Sequence, residues 1–154
     1  MQATIEIPEK EVEGIVTFLN TLLADEYALY TKTRNAHWNV KGPELRKFFE
    51  TQYKALDIII SAIAERVRAL GHYAMGSLKD FLHVTHLDRE NHDFSNPHQI
   101  IQTLANDHET IMRIIKNEIT PISEKLKELG TADFVTALLR QHEKMAGTLR
   151  SFAP

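Results

Sequence analysis

The sequence contains no cysteine and few residues that interrupt helices. Its 154 residues include six glycines, five prolines and a single tryptophan. The absence of cysteine excludes disulfides, thiolate metal ligands and a cysteine nucleophile. No apolar run approaches the ~18 residues that a transmembrane helix needs. The N-terminal stretch MQATIEIPEKEVEG also lacks the basic-then-apolar pattern of a signal peptide. We therefore expect a cytoplasmic protein without a membrane segment.

The charge is nearly balanced, and the composition is that of an ordinary globular protein. The net charge is −3, with 43% hydrophobic and 25% charged residues. This balance gives no reason to expect binding to nucleic acid or to an anionic membrane. A chain of this length fits one domain that buries roughly 70% of its unfolded surface. We expect a single domain over residues 1–154.

Apolar residues recur at helical spacing along most of the chain. The first helix is expected from Pro8 to about Trp38, where the tripeptide KGP at 41–43 stops it. The second is expected from about Glu44 to Leu70, with Gly71 as its C-terminal residue.

A long connection follows the second helix. A short helix is expected within residues 76–84, started by Ser77, and Asn96 caps a third long helix that begins at Pro97. Gly130 and Thr131 are expected to separate the third helix from the fourth. A connection of about 25 residues between helices two and three is long enough to cross the bundle. The spacing therefore predicts an all-α, ferritin-like four-helix bundle with one long crossover.

The second helix has two apolar faces. One is an ordinary bundle stripe, made of Leu56, Ile59, Ile63, Val67 and Leu70. The other consists mainly of small and apolar residues, namely Ile58, Ser61, Ala62, Glu65, Ala69 and His72. The first stripe already serves the core, so the second predicts contact with another subunit, where an unpaired carboxylate would be costly. Three interpretations of Glu65 remain open: an ion pair with Arg66 or Arg68, an intersubunit salt bridge, or a metal ligand.

The sequence lacks one motif that such a bundle often carries. Di-iron bundles use Glu-x-x-His on two helices, and no glutamate in this chain has a histidine three residues later. A di-iron site of that kind is therefore not expected within one chain.

Six segments carry a family resemblance: LLADEYALYTKTRNAHWNVKGP (22–43), FFETQY (48–53), AERVRALG (64–71), MGSLKDFL (75–82), ANDHETIMRIIKNEI (105–119) and GTADFVTALLRQHEKMAGTLRS (130–151). In this order and with these gaps they strongly resemble the Dps family of mini-ferritins. The resemblance covers essentially the whole chain, and HWNVKGP together with AERVRALG is its most specific part.

The resemblance implies a four-helix bundle, with a short helix in the crossover, that assembles into a hollow cage of twelve subunits. Members of the family oxidise Fe(II), usually with hydrogen peroxide, and store the ferric product inside, which protects against oxidative stress. Their iron site lies at a two-fold interface and takes ligands from both subunits. Some members also coat DNA.

Carrying the family site over residue by residue gives three metal ligands. The histidine of HWNV is His37, the acidic residue of the F-E-x-x-Y stretch is Glu50, and the glutamate of AER is Glu65. Trp38 resembles the family tryptophan beside the iron, which takes up oxidising equivalents.

Two positions depart from the family pattern. Arg46 stands where a second histidine is usual, and Ser61 stands where an aspartate is usual. A guanidinium there would repel cations and could pair with Glu50 or Glu65. Asp57 lies in the row of Ser61 and Glu65, but two turns from Glu65, about 12 Å at 1.5 Å per residue, which is too far to share one ion. Three possibilities therefore remain open for the altered site: it binds one metal ion, it binds a different metal, or it binds no metal.

Weaker roles are expected for several other acidic residues and histidines. The resemblance implies an acidic three-fold pore near the start of the last helix, with Asp133 as its residue and Glu124 and Glu128 as weaker candidates. His108 and His142 are expected in the core. Four further histidines form a possible metal-binding cluster in and around the crossover, namely His83, His86, His92 and His98.

Three functions compete. The first is an iron-oxidising storage cage, and the second is a cage that lacks ferroxidase activity and stores iron or another metal passively. The third, a DNA-coating protein, is not expected, because Lys10 is surrounded by glutamates and twelve copies at −3 each would carry −36.

Overall fold

The computed structural model describes residues 7–88 and 93–152. Within them the elements are α1 (Glu9–Asn39), α2 (Pro43–Ala69), α3 (Leu78–Val84), α4 (Pro97–Thr120), a π-helical turn (Pro121–Lys125) and α5 (Leu129–Arg150). The predicted bundle of four long helices, with a short helix in the crossover, is confirmed. None of the helices in these ranges combines the length and apolarity that crossing a membrane requires.

The bundle consists of two helical hairpins, α1 with α2 and α4 with α5. α1 and α2 run antiparallel, because His37 at the end of α1 contacts Arg46 near the start of α2, while the Asn20 side chain accepts a hydrogen bond from the Met75 N–H beyond the end of α2. The turn between them requires Gly42, whose φ of 94° lies in the left-handed region. Pro43 then occupies the first helical turn, where a missing N–H costs nothing.

The two faces of α2 differ as the sequence predicts. Leu56, Ile63 and Val67 on the bundle stripe are completely buried. Ile58 on the opposite face is 71% exposed, and Ser61 and Glu65 are exposed beside it.

Three helix ends follow the local signals in the sequence. Ser77 caps α3 by accepting from the Asp80 N–H, and Asn96 caps α4 by accepting from the Gln99 N–H. Gly71 closes α2 with a φ of 87°, and this left-handed conformation lets the N–H of the next residue, His72, donate to the Val67 carbonyl.

The boundary before α5 differs from the expectation. Gly130 and Thr131 do not separate two helices; they lie in the first turn of α5. The chain turns instead at Lys127, which has a φ of 53°, and Glu128 caps the new helix by accepting from the Thr131 N–H. The prediction was wrong because Glu128 supplies the cap that a serine or threonine more often provides.

The crossover is tied to α1 through Asp25, a completely buried aspartate. Its carboxylate accepts hydrogen bonds from the Thr85 hydroxyl, from the His86 N–H and from Nδ1 of His86. These three bonds fix the path of the chain as it leaves α3.

Candidate metal centre

His37 lies in the last turn of α1, where a backbone contact fixes its ring. Nδ1 of His37 is 2.8 Å from the carbonyl oxygen of Arg46. A carbonyl can only accept, so Nδ1 carries the proton and the neutral ring leaves the lone pair of Nε2 free. This is the tautomer and the orientation in which a histidine binds a metal through Nε2.

Arg46 supports this end of α1 rather than pairing with a carboxylate. Its Nε donates to the carbonyl of His37 at 3.4 Å. Among the described residues, no ion pair joins Arg46 to Glu50 or Glu65, although the sequence allowed for one. Arg46 and His37 thus hold each other through their backbone carbonyls.

Glu50 faces two lysines on its own helix. Lys54 Nζ lies 2.7 Å from one carboxylate oxygen, and Lys47 Nζ lies 3.9 Å from the other. The hydrogen bond and the charge of Lys54, followed by the charge of Lys47, hold the pKa of Glu50 below its ordinary value. Glu50 is therefore ionised, but a metal would have to compete with Lys54 for it.

Glu65 is exposed on the outer face of α2, one turn after Ser61 and two turns after Asp57, which is also exposed. Neither neighbouring arginine neutralises it. The guanidinium of Arg66 binds Glu128 at 3.0 Å, and Arg68 donates to a backbone carbonyl beyond the end of α2. The interpretation of Glu65 as the ion-pair partner of Arg66 or Arg68 is therefore not realised in this structure.

One aromatic ring lies against His37, and it belongs to a group of rings around Arg34. The Tyr53 ring lies 5.4 Å from the His37 ring. The Arg34 guanidinium lies 5.3 Å from the ring centroids of both Trp38 and Tyr53, and 5.9 Å from that of Tyr30. Sequence reasoning missed Arg34 and the tyrosines. The available signal was the four-residue spacing of Tyr30, Arg34 and Trp38, which places them on one helix face.

One chain does not assemble a complete metal site within residues 7–88 and 93–152. No group of three or more histidine or acidic side chains converges there as metal ligands would. His37, Glu50 and Glu65 lie on the α1–α2 hairpin but are not gathered around one point. A site that uses them needs further ligands from elsewhere.

The acidic residues considered for a pore are not equivalent. Asp133 and Glu124 are exposed, whereas Glu128 is buried and binds Arg66 and Thr131. Burial alone would raise the pKa of Glu128, but hydrogen bonds from Thr131 and Arg66 outweigh it and lower the pKa. The Glu128 carboxylate therefore binds groups at the start of α5 and is not available to line a pore.

The crossover histidines do not form a cluster in the described structure. His83 and His98 are exposed, while His86 is bound to Asp25 through Nδ1. His92 lies outside the described residues.

A second polar cluster lies in the bundle core. His108 and His142 are completely buried, as expected. Their Nδ1 atoms are 2.8 Å apart, and Nε2 of His142 is 2.6 Å from the buried carboxylate of Glu26. Burial, followed by the charges of His142 and Arg150, lowers the pKa of His108 well below its ordinary value. Sequence reasoning missed Glu26, because an acidic residue inside an apolar stripe gives no sign of a distant partner.

A second polar pair, with little exposure, also starts from α1. Lys32 Nζ is 2.6 Å from the carboxylate of Asp107 on α4. Both this pair and the pair of Glu26 with His142 join α1 to the opposite hairpin.

Comparisons with known proteins agree with this architecture. A family model described as a ferritin-like domain matches residues 16–153. An uncharacterized low temperature-induced protein of Nostoc sp. is 37% identical over 151 residues, which is 96% of this chain and 84% of that protein. A DNA protection during starvation protein of Agrobacterium fabrum is 30% identical over 142 residues, 90% of this chain and 87% of the relative. The crystal structure of a Dps protein from Vibrio cholerae O1 superposes with a TM-score of 0.89 at 23% identity, covering 98% of this chain and 96% of that one. The chain therefore belongs to the ferritin-like family and, within it, to the Dps mini-ferritins.

Proposed function

We propose that this protein forms a hollow cage of twelve subunits that takes up Fe(II), oxidises it with hydrogen peroxide and stores the ferric product. The observation that carries the proposal is the orientation of His37, whose ring is held by one nitrogen while the other is free to bind iron. Consumption of Fe(II) and peroxide together would protect the cytoplasm from hydroxyl radicals.

The donor set suits this substrate. Histidine nitrogen and carboxylate oxygen are the ligands of di-iron bundles. The Vibrio cholerae relative is described as a member of a superfamily of ferritin-like diiron-carboxylate proteins. In our proposal His37 and Glu65 hold the iron, Glu50 contributes once Lys54 releases it, and Trp38 stands beside the site as a reserve electron donor. Asp133 lies on the entry path for iron.

The outer face of α2 supports an intersubunit site. Ile58 is 71% exposed, and an apolar side chain gains from being covered by another subunit. Glu65 projects from the same face. A second copy docked here would bring its own His37 hairpin towards Glu65 and complete the ligand set. Asp57, also on this face, lies too far along the helix to share that ion.

The reaction needs electrons only from iron. Two Fe(II) ions give one electron each to one hydrogen peroxide molecule, whose O–O bond breaks, and the two oxygens leave as hydroxide or water. The role of the protein is to bind Fe(II) through neutral and anionic ligands and to keep the oxidant at the metal.

A cage without ferroxidase activity is the second candidate, and specific contacts favour it. Glu50 is held by Lys54 at 2.7 Å, Ser61 offers only a hydroxyl where an anionic ligand is usual, and Arg46 replaces a histidine. Such a cage would store iron passively or bind another metal. DNA coating is not proposed, because a cage of twelve chains at −3 each repels a polyanion.

An iron titration of the intact assembly tests the proposal. Metal-free protein is titrated with Fe(II) under anaerobic conditions, peroxide is then added, and ferric absorbance is followed. The variant is His37→Ala, and the matched control is His83→Ala, which removes an exposed histidine from α3.

We expect saturable Fe(II) binding and oxidation much faster than in buffer. His37→Ala should slow this oxidation by roughly 10²-fold, the scale of losing a ligand or its support, and His83→Ala should leave it unchanged. Oxidation no faster than in buffer, and equal in both variants, would reject the ferroxidase and leave the passive cage.

A further inference from the structure

Arg34 lies against three aromatic side chains beside the candidate metal centre, one of which, Trp38, is 61% exposed. Its guanidinium carbon lies 5.3 Å from the rings of Trp38 and Tyr53 and 5.9 Å from that of Tyr30. The next ring beyond Tyr53 is that of His37, at 5.4 Å. A fixed positive charge therefore lies against Tyr53, the ring that contacts a proposed iron ligand, and against Trp38, the residue that follows that ligand.

No acidic side chain neutralises this charge within the described part of the chain. The side-chain hydrogen bond of Arg34 goes to the hydroxyl oxygen of Tyr30 at 2.5 Å. Its Nε is buried there without a hydrogen-bond partner. A buried cation is normally paired, so the electron-rich faces of the rings supply the compensation that a carboxylate would otherwise give.

The same contact makes the rings harder to oxidise. Removing an electron from indole or phenol leaves a positive charge on the ring, close to a guanidinium that stays charged at every pH of interest. Like charges at this separation repel, and most strongly where water is partly excluded, as it is around the half-buried Tyr30 and Tyr53. The hydrogen bond from Arg34 acts in the same direction, because it withdraws electron density from Tyr30.

We propose that Arg34 sets an oxidation threshold for Trp38, Tyr53 and Tyr30, so that only the strongest oxidants can take electrons from them. The inference rests on the proposed function for the source of the oxidant, and it assigns Arg34 a role in that reaction. During ordinary turnover peroxide then receives its electrons from Fe(II). Trp38 is consumed only by a species such as hydroxyl radical, which takes one electron to become hydroxide while the indole releases its N–H proton to water.

The single tryptophan of the chain makes the test direct. The metal-free assembly is exposed to a moderate one-electron oxidant, photogenerated tris(bipyridine)ruthenium(III), and the loss of Trp38 fluorescence is followed. Arg34→Gln removes the charge, and Arg34→Lys retains it. Lys41→Gln is the matched control, since it removes one positive charge from an exposed position beside the same helix end.

We expect Trp38 in Arg34→Gln to be lost roughly tenfold faster than in the unmodified protein. Arg34→Lys and Lys41→Gln should stay close to the unmodified rate. Hydroxyl radical generated by radiolysis is strong enough to oxidise Trp38 whatever residue stands at position 34. It should therefore consume Trp38 at the same rate in all four proteins. Equal rates would exclude a difference in how accessible Trp38 is to the oxidant. Circular dichroism confirms that each variant is folded.

Equal rates in Arg34→Gln and the unmodified protein with the ruthenium oxidant would overturn the inference, as would an Arg34→Lys variant as sensitive as Arg34→Gln. This assay contains no iron, so its outcome is separate from that of the proposed function. A clear Arg34 effect in a protein that fails to oxidise Fe(II) would support the threshold and reject the ferroxidase.

Discussion

Glu26, His142 and His108 form a hydrogen-bonded chain through the core. Nε2 of His142 lies 2.6 Å from a carboxylate oxygen of Glu26, and Nδ1 of His142 lies 2.8 Å from Nδ1 of His108. Nε2 of His108, the other nitrogen of that ring, is buried without a hydrogen-bond partner in the described structure. A proton added at Nε2 would become a buried donor with nothing to receive it.

This arrangement predicts a loss of stability in mild acid. Burial lowers the pKa of His108 in the folded protein. Above about pH 6.5, the ordinary pKa of histidine, His108 is therefore neutral in both the folded and the unfolded protein. Below this pH, His108 gains a proton in the unfolded chain but not in the folded protein. The free energy of unfolding should therefore fall by up to about 1.4 kcal/mol per pH unit.

Thermal unfolding between pH 7.5 and 5 measures this slope. His108→Gln keeps an N–H donor for His142 but cannot titrate, so its slope should be smaller. The carboxylates with lowered pKa, Glu50, Asp93 and Glu128, titrate below this window and do not contribute. Identical slopes in the two proteins would show that His108 does not remain neutral.

The role of a single residue was predictable from the sequence only where the residue lies in a recognisable local motif. His37 and Glu65 stand in recognisable segments, so their candidacy needed no structure. The partner of Glu26 lies 116 residues away, and no local pattern signals such a pairing. The roles of Arg34 and Tyr53 depend on how two helices face each other, which spacing along one helix does not reveal.

Whole elements were more predictable, because helix ends depend on neighbouring residues. Ser77, Asn96 and Gly71 each act within their own turn, and all three boundaries follow the sequence. The boundary before α5 does not, because Glu128 at that position is also held by Arg66, 62 residues away. Gly130 and Thr131 resemble a helix break, yet the contact with Arg66 places the start of the helix before them.

Lys127 gives a prediction for this boundary. It is the one residue other than glycine with a positive φ, at 53°, in the described part of the chain. A side chain costs about 1 kcal/mol in this conformation, so Lys127→Gly should raise the free energy of unfolding by up to that amount. Denaturant unfolding measures the change.

Lys125→Gly serves as the control, since Lys125 lies inside the π-helical turn. Glycine there should lower stability by roughly 0.5–1 kcal/mol. If both variants were destabilised alike, the left-handed conformation of Lys127 would not be a source of strain.

At the scale of the whole molecule, the sequence already indicated that α2 has one more apolar face than a lone bundle can use. The structure shows Ile58 exposed on that face. The pattern cannot fix the number of subunits, because that number follows from the angle between copies and not from the composition of one face.

We expect Ile58→Glu to dissociate the assembly. A carboxylate pressed into an apolar contact costs several kcal/mol unless it is paired, and each contact would contain it. Analytical ultracentrifugation should show mass moving from the proposed cage towards the 17.7 kDa protomer. Asn117→Glu adds the same charge at an exposed position on α4 and should leave the assembly intact. An unchanged assembly in Ile58→Glu would place the subunit contacts elsewhere.

The buried polar pairs between the hairpins also determine how two fragments of a cleaved chain would recombine. Lys32 with Asp107 and Glu26 with His142 both join α1 to the α4–α5 hairpin. A slip of one helical turn, about 5.4 Å, would break both at once and strand four buried polar groups. Two fragments divided within the crossover would therefore have one alignment in which to recombine. The polar pairs in the core therefore specify the register of the two hairpins. The covalent connection between the hairpins is not needed for this.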